Sequence, residues 1–81
     1  MKIEIPVGTE WKLEETIGAH RIGSIKLVAR YPDVKVEVWN ASWCYSDGSA
    51  PYYAEHQTFP SYRSARAWFP FECRAFCIFK P

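Results

Sequence analysis

Two segments in which apolar and polar residues alternate, Ser24–Tyr31 and Val34–Trp39, are the strongest constraint on the fold. Pro32-Asp33 lies between them, and a turn dipeptide between two alternating segments is typical of an antiparallel hairpin. We therefore predict a β-hairpin over residues 24–39. One face of the hairpin should be solvent-exposed or should contact a partner, because it carries four charged residues, namely Lys26, Arg30, Lys35 and Glu37.

Two segments before the hairpin have weaker patterns. Lys2–Val7 alternates strictly, so we predict a half-buried strand, placed at a sheet edge because Pro6 lacks an N–H group. The apolar residues of Glu10–Ile17 fit the spacing of either a helix or a strand. Thr9 as a possible cap and Gly18 as a possible stop favour a short helical turn.

Three further elements are predicted after the hairpin. Tyr52–Phe59 reads as a strand, and a short helix should begin after Ser61 as its N-cap and end at Pro70. Phe71–Phe79 alternates with apolar residues on both faces, which predicts a central strand. The fold class expected is α+β, with an antiparallel sheet of four to five strands and one short helix packed on one face.

The chain length of 81 residues predicts one domain spanning 1–81. A domain of this size buries only about 60% of the surface that its unfolded chain exposes. Aromatic residues make up 17% of the chain, and each buried ring removes roughly 150–250 Å² from water. We therefore expect a core built from rings, with several rings left over for the surface.

Charge and hydropathy narrow the functional classes. The formal net charge is +1, which argues against a protein that binds DNA by charge alone. No segment approaches the roughly 20 apolar residues needed to span a bilayer, and no signal peptide is evident at the start of the sequence. We expect a cytoplasmic protein that does not bind membranes.

Three cysteines and one histidine could be drawn together as a zinc site: Cys44, His56, Cys73 and Cys77. Zinc modules contain tightly spaced pairs such as C-x2-C, which this chain lacks, so we expect buried thiols, no metal and no cofactor. A disulfide from Cys44 to Cys73 or Cys77 stays open. No motif fixes a nucleophile beside a base, so we do not expect an enzyme.

The segment Trp43–Tyr53 has the composition of a recognition loop, because it mixes large rings with small polar residues. We predict that it contacts a partner. An alternative is that two or three of its rings fold back as a lid on the core. The candidate contact residues in this segment are Trp43, Tyr45, Asp47, Tyr52 and Tyr53.

Arginines after the loop suggest a second possibility. Arg63, Arg66 and Arg74 lie near aromatic residues in the sequence, and guanidinium groups beside rings can stack on unpaired bases. Direct nucleic-acid contact is thus an alternative function. Arg63 and Arg66 could instead form the solvated face of the helix, or could contact a protein partner, and both are kept as candidate binding residues.

The order hairpin, short helix at Phe59–Phe69 and final strand resembles that of some anti-CRISPR proteins, the small phage inhibitors that block CRISPR effectors by steric occlusion. The resemblance covers residues 25–79 in outline and transfers no functional residue. It implies a small protein-binding inhibitor whose partner is a larger protein or nucleoprotein complex. A structural subunit of a larger assembly, with the same rings at an obligate interface, is the third class. The sequence leaves the oligomeric state open.

Overall fold

The computed structural model describes residues 5–47 and 55–79 of the chain. Its elements, in chain order, are β1 (Glu10–Glu15), β2 (Arg21–Tyr31), β3 (Val36–Tyr45), β4 (Glu55–Phe59), α1 (Tyr62–Trp68) and β5 (Cys73–Phe79). The five strands form one antiparallel sheet in the order β4-β3-β2-β1-β5. Helix α1 packs on one face and carries the chain from one edge strand to the other. The predicted α+β fold is confirmed.

The β2–β3 hairpin is present and is longer than predicted. Its turn is closed by Val34 N–H donating to the Tyr31 carbonyl (3.3 Å) and by Lys35 N–H donating to the Pro32 carbonyl (3.2 Å). Lys35 has a φ of 55°, in the left-handed region that closes such a turn. Val34 therefore belongs to the turn rather than to the second strand.

A β-bulge changes which face of the hairpin is buried. Leu27 pairs with Trp39, but the next pair is Ala29 with Val38, so β2 contains one extra residue. Beyond this point Arg30 and Glu37 lie on the same face as Trp39, the face that is packed against α1. The prediction that one solvent-exposed face carries Lys26, Arg30, Lys35 and Glu37 is therefore wrong, because the alternation of apolar and polar residues in the sequence does not reveal the extra residue.

The segment 10–17 is not a helical turn, as the sequence had favoured, but contains strand β1. As a strand it pairs with β2 on one side and β5 on the other, so its backbone groups are bonded in both directions. An isolated helical turn would form few hydrogen bonds, and these would not offset the conformational entropy that is lost when the turn is ordered. Leu13 is fully buried in this strand, whereas Ile17 is 71% exposed and lies beyond its end.

The strand predicted at Lys2–Val7 is only partly covered by the structure. Residues 1–4 lie outside the described part of the chain, and residues 5–7 are not in a strand. Ile5 and Val7 are exposed rather than half-buried. Thr9, two residues further on, is buried, and its hydroxyl donates to the Pro6 carbonyl (2.7 Å).

The helix is confirmed close to its predicted limits. Ser61 is the N-cap, and its Oγ accepts a hydrogen bond from the Ser64 N–H group (3.1 Å). The last strand differs from its prediction, because β5 pairs with β1 alone and is an edge. Phe76 and Ile78 are exposed, since α1 covers only the other face of the sheet.

The core on the helix side is built largely from rings. Trp39, Trp43 and Phe69 are buried, and they pack with the aliphatic side chains of Leu13, Ile25 and Leu27. Trp11, Trp39 and Tyr62 form a triangle with ring centroids 5.0–5.7 Å apart. A second series of neighbouring rings runs through Phe59, Trp68, Phe69, Phe71, Trp43 and Tyr45.

Gly23 allows the closest contact between α1 and the sheet. A Cβ atom added at Gly23 would overlap Cε1 of Phe69 and lie 3.0 Å from the Ser42 carbonyl oxygen. The Phe69 ring, just after the end of α1, therefore lies directly on the backbone of β2. No larger residue fits at position 23 without moving the ring or the strand.

We expect Gly23→Ala to destabilise the protein by about 1–3 kcal/mol, because the added methyl group overpacks this contact. Urea unfolding of the variant would measure the loss. Phe69→Leu provides the control: in that background the Gly23→Ala change should cost less, since the ring that it overlaps is gone. An equal cost in both backgrounds would contradict this explanation.

Candidate partner-binding surfaces

The aromatic residues predicted to project from a recognition loop do not do so where the structure describes them. Trp43 and Tyr45 are the end of strand β3, Trp43 is 9% exposed, and the Tyr45 ring packs against it at 5.6 Å. Asp47 is exposed just after the strand, while Tyr52 and Tyr53 lie outside the described residues. The Trp43–Tyr45 rings thus fold back on the core, as in the alternative considered from the sequence. A binding role for these five residues stays a prediction.

An ion pair stacks on the same group of rings. Arg21 Nη2 lies 2.7 Å from Glu15 Oε1, and Arg21 Cζ lies 4.6 Å from the centre of the Phe71 ring. Glu15 Oε2 also accepts the backbone N–H groups of His20 and Arg21, both at 3.0 Å. The hydrogen bond from the Arg21 side chain, above all, holds the pKa of Glu15 below its ordinary value of 4.5. The sequence offered no signal for this pair, because its two residues flank a loop.

A second carboxylate is held in the same way at the other end of the sheet. Glu37 accepts hydrogen bonds from Arg30 Nε (2.9 Å) and from Trp39 Nε1 (3.1 Å). The Arg30 bond first, and the Trp39 bond second, lower the pKa of Glu37 from its ordinary value of 4.5. Thus, at each end of the sheet face that packs against α1, a carboxylate is hydrogen-bonded to an arginine.

These two lowered pKa values predict a pH dependence of stability. A carboxylate whose pKa is lower in the folded state stabilises the fold above pH 4.5, and this contribution is lost as the pH falls through the folded-state pKa. The free energy of unfolding should therefore decrease on acidification below pH 4.5, and it should decrease less in Glu15→Gln. Denaturant titrations over this range would measure both.

Glu72→Gln is the matched control for that comparison. Glu72 is exposed, and its side chain makes no ion pair within residues 5–47 and 55–79. This variant should retain the acid dependence of the parent chain. Identical acid profiles for the parent, Glu15→Gln and Glu72→Gln would show that the Arg21 contact has no influence on stability.

The three arginines of the nucleic-acid alternative do not share a surface. Arg66 Nη1 donates to Cys73 Sγ (3.0 Å) and its Nη2 donates to the Cys73 carbonyl (2.8 Å), so Arg66 joins α1 to β5. Arg63 is exposed on the helix. Arg74 pairs in register with Glu14 and lies on the sheet face opposite the helix. The three arginines therefore lie on different surfaces of the described structure, and nucleic-acid binding stays a prediction.

We expect Arg66→Ala to lower the free energy of unfolding by roughly 1 kcal/mol, because two partly buried hydrogen bonds to a charged group are lost. Arg63→Ala, on the exposed side of the same helix, should leave it unchanged. Thermal unfolding of the two variants would test this. If Arg63→Ala proved the more damaging change, the structural role assigned to Arg66 would be wrong.

The cysteines and the carboxylates do not converge. Within the described ranges, no group of three or more His, Cys, Asp or Glu side chains is placed to hold a metal ion. Cys44, Cys73 and Cys77 all lie in described strands, and no disulfide joins any of them. Cys44 and Cys73 are half-buried and Cys77 is exposed, so the expectation of buried thiols is wrong.

The sheet face opposite α1, which we call the open face, is polar over much of its area. Lys12 Nζ lies 3.5 Å from Glu14 Oε1, Arg74 Nη2 lies 3.7 Å from Glu14 Oε2, and Ser24 Oγ donates to Glu10 Oε2 (2.6 Å). The side chains that point to this face in β1, β2 and β3 are Glu10, Lys12, Glu14, Ile22, Ser24, Lys26, Ala29, Tyr31, Val36, Val38, Asn40, Ser42 and Cys44, and those in β4 and β5 are His56, Thr58, Arg74 and Phe76.

Apolar exposure on the hairpin is concentrated at its turn. Tyr31, Val34 and Val36 are 54%, 68% and 43% exposed, and Tyr31 and Val36 are directly paired. We call these three residues the hairpin-end patch. A cleft of about 460 Å³ adjoins the patch and is lined by Arg30, Tyr31, Pro32, Lys35, Val36, Glu37 and Pro60. Apolar side chains beside a cleft rimmed by charged groups are typical of a protein-binding surface.

Comparison with known proteins adds no further constraint. No protein-family model, no curated protein and no solved structure matches the chain.

Among the described residues, no helix has the length and apolar character that crossing a membrane requires.

Proposed function

We propose that this chain is a small protein-binding inhibitor that docks on a larger protein or nucleoprotein target through the hairpin-end patch. The observation that supports this proposal is the coincidence of three exposed apolar side chains with the adjoining cleft of about 460 Å³. Burial of such side chains in an interface removes apolar area from water and drives association.

The hydrogen bonding of the turn supports the same proposal. Two backbone hydrogen bonds close it, and Arg30 is held by Glu37 at 2.9 Å beside the cleft. A partner that binds here pays little conformational entropy for ordering the surface, because the backbone is already fixed. The sequence led us to expect binding through the charged face of the hairpin, whereas the patch proposed here lies at the hairpin turn and is formed by other side chains.

Steric occlusion is the mode of inhibition that we propose, following the outline resemblance to small anti-CRISPR proteins. The molecule measures 41 × 24 × 21 Å along its principal axes. A body of this size, docked through one end, can cover a site on its target over roughly the 800 Å² that a standard interface buries on each partner. Such a mechanism requires no catalytic group.

The test is affinity capture followed by a direct binding measurement. The immobilised parent chain and the variant Tyr31→Ser/Val34→Ser would be exposed to a lysate of the source cells, and any selectively retained protein would then be purified. We expect the double variant to bind that purified protein at least about tenfold more weakly in calorimetry, because two exposed anchors of the patch are removed. The parent chain should also inhibit the activity of that protein.

Ile17→Ser is the matched control, since Ile17 is an exposed apolar residue near the opposite end of the sheet. It should bind like the parent chain. Equal binding by all three proteins, or loss of binding only in Ile17→Ser, would contradict a role for the hairpin-end patch. Binding of the target without any loss of its activity would contradict inhibition.

A further inference from the structure

Strand β4 is an edge of the sheet, and its outward backbone groups have no partner among residues 5–47 and 55–79. The direction of backbone hydrogen bonding alternates from residue to residue along an antiparallel strand. Ser46 N–H donates to the His20 carbonyl (2.8 Å), which continues the β2–β3 ladder and shows that even-numbered residues at this end of β3 bond β2. Odd-numbered residues of β3 therefore bond the odd-numbered residues of β4. His56 and Thr58 consequently point their N–H and C=O groups away from the sheet.

These groups are complementary to themselves. If a second copy approaches with its β4 antiparallel and a twofold axis at Gln57, His56 of each copy lies opposite Thr58 of the other. Each of those two pairs can form two backbone hydrogen bonds. We propose that two copies of this chain pair through β4 in this register and join their sheets into one continuous sheet of ten strands.

The side chains of β4 do not oppose this pairing. Edge strands commonly avoid each other by means of lysine, internal proline or a bulge, and Glu55–Phe59 contains none of these. Glu55 is the only acidic residue of the strand. The twofold axis places the two copies of it at opposite ends of the paired strands, roughly 13 Å apart along their length, so like charges do not face each other.

The opposite edge of the sheet differs from β4 at its first residue, Cys73. In β5 the hydrogen-bonding direction is set by Thr16 N–H, which donates to the Glu72 carbonyl (2.9 Å), so the Cys73 carbonyl points outward. Arg66 Nη2 donates to that carbonyl and thereby covers the start of β5. Within the described part of the chain, no corresponding side chain bonds the outward groups of β4.

Two half-buried rings border the same edge on its helix side. Phe59 and Trp68 lie with their ring centroids 5.9 Å apart. A second strand added to β4 would shield them further from water. The backbone hydrogen bonds set the geometry of the proposed dimer, and this apolar shielding adds to its stability.

The test is sedimentation equilibrium of the full chain at protein concentrations from about 10 µM to about 1 mM, the range in which a small interface of this kind should dissociate. The parent chain should approach twice the 9.4 kDa mass of the monomer. Thr58→Pro removes the outward N–H group but no hydrogen bond to β3, so it should raise the dissociation constant at least about tenfold. Thr58→Val keeps that N–H group and should dimerise like the parent chain.

Hydrogen exchange of the parent chain gives a second measurement that does not depend on any variant. The amides of His56 and Thr58 should become protected as the concentration rises, while the amide of Gln57, already bonded to β3, should not change. A monomer at every concentration would overturn the proposal. So would a dimer that Thr58→Pro leaves intact, or one in which these two amides stay unprotected. Tyr31→Ser/Val34→Ser should still dimerise, so this result is separate from that of target binding.

Discussion

The contact of Phe69 with the backbone of Gly23 sets the arrangement of the rest of the molecule. It fixes the end of α1 over the middle of the sheet, and the helix then covers one face only. The connection between β4 and β5 includes this helix, and these two strands are the opposite edges of the sheet. The open face follows from this one-sided cover.

The abundance of rings in a short chain serves the core, as the composition predicted. Trp43 and Tyr45 continue a row of aromatic contacts under the helix instead of forming a loop for a partner. Rings bury more area per residue than aliphatic side chains, so this core compensates for the small size of the domain. The exposed apolar side chains of the hairpin are mostly valines at its turn. Composition alone would not have selected this end of the hairpin as a candidate binding surface.

The local sequence patterns predicted some elements of the fold correctly and others wrongly. The hairpin and the helix were predicted correctly, because Pro32-Asp33 and Ser61 are local signals whose effect does not depend on distant residues. The face assignment failed at the bulge after Leu27, since one extra residue reverses the phase of every side chain beyond it. Segment 10–15 was misread because the bonds that make it a strand come from β2 and β5, which are distant in the sequence.

The amino-acid sequence by itself determined the class of the fold, the position of the hairpin turn and the limits of the helix, because these depend on periodicity and on the conformational preferences of single residues. Only the tertiary structure decided which strands lie at the edges, which rings are buried and which arginines hold the molecule together. Arg66, a candidate contact by its position in the sequence, turns to Cys73, because the start of β5 places a carbonyl group within reach of its guanidinium. Long-range pairing of this kind is not encoded in any short segment of the chain.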